Sequence, residues 1–204
     1  MNKIILKGQI RNIEYSHTIG TVEYDKAELL VPKMNGEEDV LQLRFKHFSN
    51  NYVEDQQIEL EGNVRSYSEK LANGKNKVHL YVFTYFDIPE ETDEDGHEII
   101  NKFAIDGRIC KIDPLRVSDL GKQSIHFILA NNIISSDGHQ KLNTYIPMVA
   151  FGQTALEIAK LHVSDKIEVN GRLNSRTYKK ALSDDEVEFR TAYEGIVNSF
   201  KILE

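Results

Sequence analysis

Along residues 167–176 the apolar Ile167, Val169 and Leu173 alternate with Glu168, Asn170, Arg172, Asn174 and Arg176. That is the period of a strand with one face buried and one face wet. Phe103, Ile105 and Ile109 repeat the pattern around Gly107. Further strands are predicted at 124–132, 143–151 and 188–198, and one helix where Ala155, Leu156, Ile158, Ala159 and Leu161 fall at helical spacing. Ile and Val number 34 against 26 for Leu and Ala, a bias toward side chains that suit a pleated surface. Leu, Ile, Val and Phe make up about 29% of the chain, well above the roughly 20% below which chains stay disordered.

The pattern also repeats. KIILKGQI at 3–10 echoes KFAIDGRI at 102–109, LQLRFKHFS at 41–49 matches YIPMVAFG at an offset of 103, and IELEGNVRSY at 58–67 echoes IEVNGRLNSR at 167–176. The later increase in offset is an insertion in the second half that contains the helix. Five strands with a helix between the third and fourth is the order of an OB fold. Glycines recur in strand one (Gly8, Gly107) and strand four (Gly62, Gly171), where a small barrel must bend a strand sharply. The expectation is an all-β chain with one short helix, built as two tandem five-stranded OB-fold barrels; a pair of β-sandwiches is the alternative.

Between the halves, PEETDEDGHE at 89–98 holds six acidic residues and no Lys or Arg, the composition of a linker. The predicted division is therefore an N-terminal domain over 1–88, an acidic linker over 89–98 and a C-terminal domain over 99–204. The linker carries nearly all of the net charge of -7, leaving -2 on 1–88 and +1 on 99–204. A polyanionic partner is thus compatible with either domain.

Other functional classes lose support. The single cysteine, Cys110, allows neither an intrachain disulfide nor a cysteine-cluster zinc site. No apolar run approaches the roughly 20 residues that span a bilayer, and MNKIILKGQI lacks a signal peptide's apolar region, so a cytoplasmic, soluble protein is expected. Gly74-Lys75 and Gly121-Lys122 lack the rest of a phosphate-cradling loop, and HExxH, GxSxG and GxGxxG are absent. Asp93, Asp95 and Gly96 lack the spacing and closing glutamate of a calcium loop. Asp184, Asp185, Glu186 and Glu188 read as a solvated hairpin tip, and His79 and His126 as hydrogen-bonded strand histidines. No enzyme, metal, cofactor or small-molecule substrate is expected.

Single strands bind OB barrels through cations for phosphates and aromatic faces for bases. In the second half, Tyr145, Pro147, Val149 and Phe151 share the outward side of strand three, opposite Ile146, Met148 and Ala150, while strand four and its hairpin add Arg172, Arg176, Tyr178, Lys179 and Lys180. In the first half the same side presents Gln42, Arg44, Lys46 and Phe48, then Arg65 and Tyr67, with Lys70, Lys75 and Lys77 on the following hairpin. Tyr81, Phe83 and Tyr85 on strand five are assigned to core or subunit contact.

Four segments of the second half, GRICKIDPLRV at 107–117, GKQSIHFILANN at 121–132, YIPMVAFGQTALEIAKLHVSDKIEVNGRLNSRTY at 145–178 and the final strand near 191–197, resemble the bacterial single-stranded DNA-binding protein (SSB) family. The first half shares the resemblance only through the repeat. The resemblance implies that Tyr145, Phe151 and Tyr178 stack bases, and Arg116 and Lys122 lie within the matching segments. Departures are equally specific. The family's tryptophans are missing, so stacking on tyrosine is expected to be weaker per base. Pro147 suggests an edge or bulge, and another stacking aromatic of the family falls near Ser135. The chain closes on SFKILE without the family's glycine-rich linker and acidic tip, so recruitment through such a tail is not expected. The resemblance further implies a homodimer presenting four OB folds. The expected function is sequence-independent binding and protection of single-stranded DNA in replication, recombination or transfer, with RNA binding left open. The alternative is an OB-fold module for protein contacts.

Overall fold

The computed structural model describes residues 1–47, 51–70, 74, 76–87, 99–134, 141–181 and 187–203, with the backbone alone at 76, 85–87, 133–134, 141, 180–181 and 187–188. The predicted linker 89–98, Phe48, Lys75 and Ser135, the rejected calcium loop and the acidic residues 184–186 lie outside the described residues, as do the side chains of Lys180 and Glu188.

The first half holds five strands: β1 (Asn2–Ile19), β2 (Val22–Pro32), β3 (Glu38–Lys46), β4 (Gln57–Lys70) and β5 (Asn76–Asp87). The second holds β6 (Asn101–Ile112), the short β7 (Arg116–Val117), β8 (Gln123–Ile134), β9 (Lys141–Phe151), the helix α1 (Gly152–Ile158), β10 (Lys166–Ala181) and β11 (Val187–Ile202). Pairing returns on itself in each half. β1 runs antiparallel to both β2 and β4, β2 to β3 and β4 to β5, and β3 closes on β5 in parallel. β6, β8, β9, β11 and β10 repeat that circuit, again with one parallel closure, Met148 opposite Gly195. A ladder from Asn2–Ile105 to Leu6–Asn101 then joins β1 to β6, so the eleven strands of the described residues form one sheet.

The interior follows the alternation in the sequence. Ile4, Leu6, Leu43 and Leu60 fill the first ring, and Ile105, Leu129, Ile146 and Val169 the second. The repeated glycines sit where neighbouring backbones crowd the strand. A Cβ on Gly107 would lie 2.5 Å from the Ala130 carbonyl oxygen and one on Gly62 2.6 Å from that of Phe83. Gly8 and Gly171 meet the carbonyls of Leu30 and Ile196 at the corresponding places, so a side chain at any of the four collides with a paired strand. The helix is shorter than its apolar stripe suggests. Ala155 and Ile158 are buried, Leu156 is exposed, and Leu161 packs on the core from beyond the helix.

Beyond the ladder, the halves clasp each other reciprocally. The Ser175 hydroxyl of β10 accepts the Val40 amide of β3 at 2.8 Å, and the Ser66 hydroxyl of β4 accepts the Tyr145 amide of β9, also at 2.8 Å. Ser66 and Ser175 are equivalent in the repeat, so each half sends its strand-four hairpin over the other's strand three. An ionic anchor reinforces one arm. Asp39, 1% exposed, accepts the Ser175 amide at 2.7 Å, pairs with Lys33 Nζ at 3.0 Å and lies 3.7 Å from Arg172 Nη1. Burying a carboxylate is unfavourable unless hydrogen bonds and countercharge compensate it, and here both come from opposite sides of the seam. Asn2 and the buried Asn131 form a neutral counterpart: Asn2 Nδ2 donates to Val64 O at 2.8 Å and to Asn131 Oδ1 at 2.9 Å.

Candidate nucleic-acid interface

On the outward side of β9 the parity argument holds at three positions and fails at one. Tyr145 and Phe151 are 42% and 53% exposed, Pro147 is half-buried, and Ile146, Met148 and Ala150 are buried beneath them. Val149 is 1% exposed and offers no surface. Pro147 sits one residue before the parallel ladder to β11 begins, so β9 is unpaired on that side where the proline cannot donate. A strand rises about 3.3 Å per residue, placing Tyr145 and Phe151 about 20 Å apart. The two rings form the ends of a track rather than one cluster. Among the described residues neither ring meets another ring or a cation.

Arg116 on β7 registers with Ser124 on β8, which registers with Phe151. Residues in one row of a sheet project to the same side, so an exposed guanidinium stands two strands from the exposed Phe151 ring. Lys122 is exposed in the β7–β8 turn, which is closed by the Ser118 amide donating to Lys122 O at 3.0 Å and the Lys122 amide to Ser118 Oγ at 3.1 Å.

The β10–β11 hairpin carries the next group. Tyr178 is exposed, with the Arg176 guanidinium 5.8 Å from its ring centre; Arg176 also lies 3.6 Å from Glu194 Oε1. Lys179 Nζ lies 5.5 Å from the ring of Phe189, its register partner on β11. Arg172 shares the parity of Arg176 and Tyr178, whereas Lys179 projects to the other side of β10, and Arg172 is engaged at the seam by Asp39 and by Asn174 Oδ1 at 3.4 Å.

In the first half, rings and cations are stacked on one another. Tyr67 lies parallel to His79 at 4.8 Å, and Arg44 sits 4.8 Å from the Tyr67 centroid and 4.4 Å from that of Tyr81. Arg65 covers Phe83 at 4.0 Å. His79 Nε2 lies 2.7 Å from Glu69 Oε2, the hydrogen-bonded strand histidine that the sequence suggests. Lys46 is exposed on β3 opposite Tyr24, and Lys77 is exposed on β5 opposite Glu69. Of the three aromatics assigned to core or contact on β5, Phe83 is buried, Tyr81 is half-buried and faces a trough, and the side chain of Tyr85 lies outside the described residues.

That trough, of about 580 Å³, runs between the outward side of β3, β4 and β5 and the first half of β11. Phe189, Arg190 and Tyr193 line its far wall, three residues that inspection of each half separately does not single out. The available signal is the length of the hairpin, 16 residues on each strand, more than its own ring needs. Tyr193 is held there by a hydrogen bond with Gln42. Burial raises its phenol above the ordinary value and the nearby Glu28 acts in the same direction, while the Gln42 bond opposes them. Among the described residues no group of three His, Cys, Asp or Glu is placed to hold a metal, and no helix is long and apolar enough to cross a membrane.

Residues 101–183 match a family described as "another single-strand binding protein family". Along its whole length the chain is similar in structure to the wild-type single-stranded DNA binding protein from Thermus aquaticus, at 16% identity and a TM-score of 0.73, covering 93% of that protein. A deletion mutant of the same Thermus aquaticus protein gives 17% identity, a TM-score of 0.73 and 95% coverage, again over 100% of this chain. At such identity the likeness concerns the fold. A search of curated protein sequences finds no match.

Proposed function

Because the chain is like the bacterial single-stranded DNA-binding proteins, in the family matched by its second half and in its fold, we propose that it binds single-stranded DNA without reading the sequence. In this reading the protein is non-enzymatic and coats and protects exposed strands. The observation that carries it is the pairing of open rings with cations on the second half: Tyr145 and Phe151 exposed on β9, Arg116 in the Phe151 row, and Tyr178 beside Arg176. A ring face takes any base at about 1 to 3 kcal/mol, and flexible cations track the backbone, so affinity arises without base-edge contacts. Duplex DNA is bound far more weakly, its bases being already stacked.

The architecture that suits this reading is two tandem five-stranded OB barrels, 1–88 and 99–204, joined by the acidic segment 89–98. Each closed circuit of pairings, with its single parallel closure, supports it. By the same reading the protein works in the cytoplasm as a homodimer presenting four barrels. The match to single-strand binders does not favour the rival module for protein contacts.

Fluorescence anisotropy of a labelled dT oligonucleotide, titrated at graded salt, tests the reading. If about five phosphates are neutralised, log affinity falls against log salt with a slope of about -3 to -4. An affinity indifferent to salt contradicts it. Occupied length is expected at about 8 to 30 nucleotides per chain, from about 4 to 16 per fold.

A further inference from the structure

We infer that the trough between the two halves is itself a nucleotide subsite, built jointly by the outward side of the first barrel and the β10–β11 hairpin of the second. The inference rests on the single-strand binding proposed above and adds a place for the strand that neither half contains alone.

Four features converge on it. Among the described residues the lining has no carboxylate: Arg44, Lys77 and Arg190 contribute cations, together with Lys26, which pairs with Glu14 at 3.0 Å, in a chain whose net charge is -7. Four rings border the same space, Tyr67 and Tyr81 on one wall and Phe189 and Tyr193 on the other. The volume of about 580 Å³ lies within the range of about 300 to 1,000 Å³ that small ligands occupy. Phe189 is 65% exposed, a large apolar ring beside a cationic trough with Lys179 Nζ 5.5 Å from its centre. Cations and ring faces in one concave space suit a phosphodiester strand with unpaired bases.

The clasp explains why the subsite is composite. Ser175, hydrogen-bonded to Val40 and Asp39, fixes the hairpin over β3, and Tyr193, registered with Ser175 on the paired strand, is thereby set against Gln42. Earlier on the same strand, Phe189 and Arg190 lie over the first barrel. A base entering between Phe189 and Tyr81 meets Arg44 beside the Tyr81 ring, and the guanidinium can turn from the ring to the phosphate.

The test uses the intact chain and a dT oligonucleotide carrying 4-thiothymidine. Irradiation of the complex followed by peptide mapping is expected to place adducts within 187–193 and 77–81, and Phe189→Ala is expected to weaken binding about 5- to 150-fold. Phe189 lies outside the core, so its truncation leaves the fold intact, as circular dichroism verifies. Unchanged affinity for Phe189→Ala, together with adducts confined to 116–124 and 145–151, overturns the composite subsite while leaving single-strand binding in place. Failure of the unmodified chain to retain the oligonucleotide instead overturns the binding function itself.

Discussion

The two halves share one circuit of strands and dress its strand three in opposite ways. Where the first has Gln42, Arg44 and Lys46 along strand three, the second has Tyr145, Pro147 and Val149. In the first half the cations lie on the rings, Arg44 against Tyr67 and Tyr81 and Arg65 against Phe83. In the second, Tyr145 and Phe151 are open and Arg116 stands apart from Phe151 across two strands. A ring already covered by a guanidinium must exchange that contact, worth about 0.5 to 1 kcal/mol at exposed sites, for the base it takes. An open ring gains the whole stack.

The sharpest way to break this contrast is to truncate the rings. Replacing Tyr145 and Phe151 together by Ala is expected to lower affinity for single strands by about 2 to 6 kcal/mol, since each stack is worth about 1 to 3 and sites about 20 Å apart act additively. Tyr67→Ala is expected to lower it by about 1 kcal/mol or less, because Arg44 and His79 already occupy the ring. Equal losses at the two places, measured by anisotropy at one salt concentration, erase the distinction.

The seam offers a second test. Asp39→Ala removes the carboxylate shared by Lys33, Arg172 and Ser175 and is expected to destabilise the fold by about 3 kcal/mol in urea unfolding, the scale of breaking a buried pair. A change below about 0.5 kcal/mol shows that the hairpin is held without it.

The smallest effect concerns Tyr193. Its folded-state phenol lies above the ordinary value, chiefly through burial. The associated stability is therefore complete below a pH of about 10 and is lost as pH rises through the folded value. Tyr193→Phe is expected to flatten that alkaline fall in melting temperature; an unchanged profile places the loss elsewhere.

Much of the fold was legible because period two is unambiguous where one face is buried. Ile167, Val169 and Leu173 declare their side, as do Ile146, Met148 and Ala150. The helix was placed but lengthened, since Leu156 and Leu161 continue a stripe that the backbone abandons after Ile158. Val149 defeated parity because alternation names a side of the strand, and the surroundings decide whether that side is wet. The trough was not legible at all. Phe189 and Tyr193 belong to one repeat and Arg44 and Tyr81 to the other, and reading each repeat against its own core cannot show that a hairpin from one lies over the other. Ser66 and Ser175, equivalent in sequence and both hydrogen-bonded across the seam, are unremarkable serines until the partner strands are in place.

The central claim is that tyrosine rings on this surface take unpaired bases, and intrinsic tyrosine emission reports on it directly because the chain contains nine Tyr and no Trp. Titration with poly(dT) at low salt is expected to quench part of that emission to saturation, with the quenching reversed by added salt. Emission unchanged through the titration contradicts the account.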